Sequence, residues 1–266
     1  MKGKNSLILI LKEEIKINEL SLNKYFESRG IIITGNYFSH TNSFTRKSCE
    51  NQISIIVEMH KLLINCNFND LSRFRSTIGK EVEDYKVQLK RIQRDYNEVF
   101  DKSYKNNIEK LFFLEGKRMI NKGIQAINYI YSNGYLDVIK RSMNREEICM
   151  GRADEGNLRT VQGKFQIGVI KGMSYNLVEE DLYRYIKRIQ KKGIEIDEEE
   201  LIRYFVHQSH LSLSSINYLR GLCTYPRDFF KTWEKYKINK KKKTEEEILE
   251  LLNKSLKYES KNFITK

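Results

Sequence analysis

Ile148-Cys149-Met150-Gly151-Arg152-Ala153-Asp154-Glu155-Gly156-Asn157-Leu158 is the stretch on which the reading of this 266-residue chain turns. Upstream of it the apolar residues recur at helical spacing. Downstream, Asn157 to Val161 and Lys164 to Ile170 read as two strands joined by the tight turn Gln162-Gly163. Gly151 and Gly156 have the spacing of a phosphate-cradling loop. Asn157-Leu158 stands where Lys-Ser/Thr would have to follow, so a Walker A reading fails.

Outward from this stretch, helices dominate. Ile53, Ile56, Val57, His60, Leu63 and Ile64 share one face. A charged helix follows from Gly79 to Phe100 with a seam of Val82, Leu89, Ile92, Tyr96 and Val99. Another spans Ile108 to Tyr131 and stops at Gly134, and a short one carries Leu136, Val138, Ile139 and Met143. Beyond the hairpin, helices resume near Val178, with Leu182, Tyr185, Ile186 and Ile189 as their stripe until Gly193. Further helices open at Asp197, near Ser212 and at Tyr225-Pro226, where proline suits a first turn. The last has a capping box, Thr244 with Glu247. Residues 1–45 differ: Ile31 to Thr34 is strand-like between Gly30 and Gly35, and Leu7 to Leu11 is a strand or a helix turn.

Composition narrows the function classes. Forty per cent of residues are hydrophobic and one is proline, as in a soluble globular protein with long helices. No apolar run approaches the length of a membrane span, and Leu7 to Leu11 is too short for a signal-peptide core, so synthesis in the cytoplasm and no membrane partner are expected. Cys49, Cys66, Cys149 and Cys223 have no paired spacing and fit reduced, mostly buried thiols. The net charge of +13 admits nucleic acid or an acidic partner. The basic residues are spread and interleaved with acids, and even Lys240 to Lys243 is followed by Glu245-Glu246-Glu247, which disfavours nucleic acid.

The opening stretch resembles the catalytic loop of small-molecule kinases, I-C-H-G-D-x-x-x-G-N-L, and the series around it resembles the CotS family of bacterial spore coat proteins. Val57-Glu58-Met59-His60-Lys61 is similar to that family's A-x-L-H-K helix. Tyr175 to Leu182 is similar to its Y-D-L-P-x-x-D-L segment, Tyr225 to Phe230 to its Y-P-x-K-F-W segment, and Lys240 to Leu252 to its last helix. These cover about residues 46–262 in order. The resemblance implies a mainly α fold with a small β part (α+β). It would be a protein-kinase-like, aminoglycoside phosphotransferase-like C-terminal lobe over 46–266, preceded by a reduced N-terminal lobe remnant, 1–45. It also implies a mother-cell product destined for the spore coat, with other coat proteins as partners.

Against that family's pattern the chemistry is depleted. Met150 replaces the loop histidine and Arg152 the aspartate that takes the substrate's proton; an arginine cannot act as a base. The metal-binding aspartate falls on Val169, with Lys171 two residues on; a one-residue shift puts Gly168 there instead. None of these offers the side-chain oxygen that a hard cation needs. Asp154 lies three residues before Asn157, where the motif requires five. Asn157 is retained, either as a residual metal or substrate contact or, the favoured role, to fix the loop's turn. Asp181 is similar to the aspartate that anchors the loop backbone from a helix N-terminus, a structural role. No G-x-G-x-x-G occurs in residues 1–45, and 45 residues are too few for a nucleotide-gripping lobe.

No cofactor and no metal are therefore expected, and a catalytically inactive kinase homologue with an assembly role is the leading reading. An active phosphotransferase that enlists Asp154, Glu155 and Asn157 is the alternative. His207 and His210 form an H-x-x-H pair with no third ligand evident, and His60 reads as a core histidine. The sixteen tyrosines and thirteen phenylalanines read as packing content.

Overall fold

A computed structural model of the chain describes residues 22–39, 44–64, 66, 74–102, 104–238 and 243–264. The expectations for Leu7 to Leu11 and Lys240 to Lys242 lie outside these residues. The chain divides into two compact units. Unit one takes the described residues up to Ile78 and Arg141–Tyr185; unit two takes Gly79–Lys140 and Ile186–Lys266.

Unit one holds helix α1, described over residues 22–28, then β1 (Ile32–Ile33) and α2 (Arg46–Leu63). It continues with β2 (Ile148–Cys149), β3 (Leu158–Val161), β4 (Lys164–Ile167) and β5 (Ser174–Tyr175), and ends in the first half of α6 (Glu179–Lys191). β3 and β4 form the expected hairpin, with Val161 facing Lys164 in register. Its turn residues have φ of 49° at Gln162 and 74° at Gly163, the left-handed pair that a two-residue turn demands. β4 stops at Ile167, three residues short of the expected strand. Beyond it the Asn157 side chain, not a neighbouring strand, takes both the N–H and the C=O of Val169.

The strand expected at Ile31 to Thr34 is β1, and it adds in parallel to β4, with Ile33 beside Ile167. The sheet order is β1-β4-β3. The compact units are thus drawn differently from a split after residue 45: β1 is bonded to the hairpin and groups with residues 141–185. A second ladder, β2 with β5, pairs Ile148 with Tyr175 and Cys149 with Ser174. Two-residue strands carry too little alternation to be read from sequence. α2 opens on a capping box in which Thr45 and Ser48 exchange side-chain and backbone bonds. It buries Ile53, Ile56, Val57, Met59 and Leu63, a stripe at intervals of three and four.

Unit two is helical: α3 (Lys80–Lys102), α4 (Asn107–Ser132), most of α5 (Tyr135–Asn144), the second half of α6, α7 (Glu198–Gln208), α8 (Leu213–Thr224), α9 (Arg227–Ile238) and α10 (Glu245–Glu259). Aromatic rings fill its core. Trp233 stacks on Phe112 with centroids 3.6 Å apart and donates its indole N–H to Asp95. Tyr225 stacks on Tyr85 at 3.8 Å and donates its hydroxyl to the Tyr85 carbonyl. α8 approaches α4 so closely that a Cβ at Gly221 would strike the Ile130 side chain. The capping box expected at Thr244 and Glu247 is present. All four cysteines are buried and unpaired, and burial pushes the Cys223 thiol up to about 12.

α9 is held at its start by a carboxylate from the far end of α10. Glu259, 1% exposed, accepts from the backbone N–H groups of Asp228 and Phe229, each at 2.9 Å, and from Lys187 at 2.7 Å. Asp228 in turn pairs with Lys191 at 2.7 Å and accepts the Tyr258 hydroxyl at 3.0 Å. Burial alone would raise the Asp228 pKa; Lys187 and Lys191 outweigh it and hold the carboxyl below its usual value. A depressed acid contributes stability that is present above its unfolded pKa and lost as pH falls through the folded one. Chemical denaturation in the acid range, below the usual carboxylate pKa of about 4, should therefore show a steep limb. The limb should flatten in Asp228→Asn, and an identical limb in that variant would exclude this group as its source.

Candidate functional site

The site built by the opening stretch lies wholly in unit one, and its anchor is Asp181. α6 starts with three consecutive acids, Glu179, Glu180 and Asp181, each no more than 1% exposed. A helix N-terminus favours negative charge, yet buried carboxylates also need donors, and each has its own set. Glu179 receives a bidentate guanidinium from Arg141 at 2.7 and 2.9 Å. Glu180 accepts from Asn176 and Arg184. Asp181 accepts the backbone N–H of Met150 at 2.7 Å and of Gly151 at 2.9 Å, and lies 2.9 Å from His60 Nε2. Asp181 thus ties the loop to α6, and His60, on the buried face of α2, ties both to α2. Gly151 has φ +74°, and a Cβ there would strike the Gly172 carbonyl, so glycine is the residue the turn accepts.

The loop's interior is closed on itself. Arg152 folds back to bond Asp154 at 2.9 Å and lays its guanidinium over the Tyr37 ring, 4.0 Å from the centroid. Burial works against that charge, but Asp154 and Tyr37 more than offset it, and the Arg152 pKa is raised. Asp154, 3% exposed, also accepts the Gly156 N–H. Asn157, 1% exposed, spends its whole amide on backbone: Nδ2 donates to Arg152 O at 2.7 Å and Val169 O at 3.0 Å, and Oδ1 accepts Val169 N–H at 2.7 Å. Gln52 of α2 props the loop from behind, donating to the carbonyls of Ala153 and Leu158. Glu155 accepts the Tyr185 hydroxyl at 2.7 Å; burial, then Glu155, pushes that phenol's pKa up.

A kinase loop of this type would hold a magnesium ion through oxygen ligands. The donors here do not fit one. Val169 brings a methyl-bearing side chain and Lys171 is exposed. Asp154 is committed to a cation and Asn157 to the backbone. A side chain at 168, the shifted alternative, would meet Asn36 O at 2.6 Å and Asn157 Oδ1 at 2.9 Å. Among the described residues no group of three His, Cys, Asp or Glu side chains could hold a metal. The His207/His210 pair is also not one face of one helix: α7 ends at Gln208, and His210 follows it with φ 50°. Both rings are exposed.

No family model and no curated protein matches the chain. A solved structure does: the crystal structure of an aminoglycoside phosphotransferase from Alicyclobacillus acidocaldarius, with a TM-score of 0.69 at 8% identity. The match covers 86% of this chain and 67% of that one. The chain has an aminoglycoside phosphotransferase-like fold. That likeness agrees with the mainly helical α+β architecture, and at this identity it speaks of fold alone.

Sequence reasoning reached the loop, Asn157 and Asp181, but passed over Gln52, Tyr37, Glu179 and Arg141. Gln52 sits in a stripe that is apolar apart from it and His60, the one signal that could have marked it. Arg141 and Glu179 are 38 residues apart, and each looks like an ordinary helix charge until the fold joins them.

Proposed function

We propose that this protein is a catalytically inactive kinase-like protein, a pseudokinase, that serves as a structural component of the endospore coat. It would be made in the mother cell and assembled there with other coat proteins. The observation that carries the loss of activity is the Arg152–Asp154 pair: a permanent cation stands where a base is required, and it engages Asp154, while Glu155, the loop's other carboxylate, accepts the Tyr185 hydroxyl. Loss of a general base alone slows such a reaction by roughly 10²–10⁴-fold. Here the loop also lacks ligands for the metal that would position a triphosphate. The coat assignment is supported by the ordered motif series across residues 46–262. The excess of positive charge, 48 basic against 35 acidic residues, suits acidic partners in an assembly.

The test pairs two measurements. Differential scanning of the full chain with and without millimolar Mg-ATP should give the same melting temperature, and a tagged copy should localise to the developing coat during sporulation. A magnesium-dependent rise in melting temperature would overturn the inactive reading and favour a phosphotransferase, the activity named for its structural neighbour. In that case phosphate transfer to a hydroxylated acceptor should vanish in Asn157→Ala. A diffuse tag throughout the mother cell would overturn the coat assignment.

A further inference from the structure

A cavity of about 320 Å³ opens within unit two beside α9 and α10. Among the described residues five lysines line it, Lys191, Lys231, Lys235, Lys243 and Lys254, against one acid, Asp228. That acid is already engaged by Lys191 at 2.7 Å, by Lys187 at 3.6 Å and by the Tyr258 hydroxyl. Lys231, Lys235, Lys243 and Lys254 have no acid within ion-pair distance among the described residues. Lys231 and Lys235 are four apart on one face of α9, where like charges repel. The crowding registers on Lys231: burial first, then Arg227, Lys235 and Lys191, pull its pKa below the usual lysine value. A solvated basic surface would spread such charges apart, whereas here they converge on a concavity.

The remaining wall is mostly apolar or aromatic, from Tyr236, Ile248, Leu251 and Tyr258, with the hydroxyl residues Thr232 and Ser255 between them. Ligand sites are concave, largely apolar, with a few convergent polar groups, and this cavity lies at the small end of their range. Lysine ammonium groups bind phosphate as point charges, and phenol rings offer flat faces for stacking. We propose that this cavity binds a small phosphorylated aromatic molecule, of the class of an aryl phosphate or a nucleoside monophosphate. Two or more negative charges would answer the lysines, and a flat group would lie on the tyrosines. The site shares no residue with the loop around Arg152, so it stands whether or not the protein is inactive as a kinase.

Calorimetric titration of the full chain in magnesium-free buffer of fixed ionic strength tests this, with phenyl phosphate, inorganic phosphate and a hexaglutamate peptide as probes. Phenyl phosphate should bind one to one and at least tenfold more tightly than either of the others. Lys231→Gln with Lys235→Gln should weaken it by tenfold or more. The unliganded melting temperature should hold or rise, because removing like charges relieves repulsion. The control pair Lys110→Gln with Lys117→Gln, exposed on α4, should leave affinity unchanged. No phenyl phosphate binding, equal weakening by the control pair, or hexaglutamate binding as tightly as phenyl phosphate would each overturn the proposal. The last would make the feature a generic basic surface.

Discussion

Replacing Arg141 with methionine is expected to destabilise the protein by about 3–5 kcal/mol, the range for stranding a buried ion pair. Urea unfolding would measure it directly. For a chain of this size the loss corresponds to a melting temperature lower by roughly 6–20 °C. The size follows from what the guanidinium serves. It meets Glu179 through two bonds, at 2.7 and 2.9 Å, and Glu147 through two more, at 2.8 and 3.1 Å. Those carboxylates are 0% and 1% exposed. Burial disfavours the arginine's charge, but Glu179 and then Glu147 raise its pKa. Methionine conserves much of the packing and leaves two anions in a dry interior with most of their donors gone. Arg141→Lys keeps the charge but cannot serve both carboxylates with paired, coplanar bonds, so its loss should be smaller but clear. The triple variant Arg141→Met, Glu147→Gln and Glu179→Gln should recover much of the stability, because the penalty comes from unpaired charge and not from a missing attraction. A single methionine variant within about 1 kcal/mol of the parent, the worth of an exposed pair, would mean that water reaches these carboxylates.

That network shows where sequence stops being informative. Local chemistry was legible wherever the signal was local. Gln162-Gly163 named the hairpin turn, Thr244 with Glu247 named a helix start, and three-and-four spacing named the buried face of α2. The order of those elements was enough for a mainly helical class with a small β part; the kinase-like assignment rested on the resemblance carried by Ile148 to Leu158 and the motif series around it. What could not be read depends on partners distant in sequence. β1 is two residues long and pairs with β4, from the far side of α2 to α5 in chain order. Glu179 and Glu180 have the look of solvated first-turn acids, and only tertiary burial turns them into acceptors for Arg141, Asn176 and Arg184. The loop itself was half legible. That Arg152 stands where the resembled kinase loop carries an acid could be read from the motif; that it turns back onto Asp154 and stacks on Tyr37 requires a backbone bent by Gly151 and held by Asp181.

Asp181→Ala should cost about as much as the loss of Arg141, on the order of 3–5 kcal/mol, and its consequences should spread through unit one. The substitution removes the acceptor of two loop amides and the carboxylate beside the His60 ring in one step. Each buried donor left unpaired costs about 1–3 kcal/mol. Met150 and Gly151 would be free to leave α6. The β2 ladder ends at Cys149, immediately before them, so its pairing with β5 should loosen as well. Hydrogen exchange is the sharper measurement. Protection should fall at Met150, Gly151 and the β2 and β5 amides, while the aromatic core around Trp233 in unit two keeps its own. Asp181→Asn retains one acceptor oxygen and the side-chain volume, and should lose about half as much. The two variants separate structural from catalytic use of the same residue. If Asp181 serves only to fix the loop, any ligand response of the parent should scale with the fraction folded in both. If the asparagine variant folded like the parent yet lost a magnesium-dependent response to ATP, Asp181 would be acting on bound phosphate or metal, and the proposal of an inactive, structural protein would fail at its anchor.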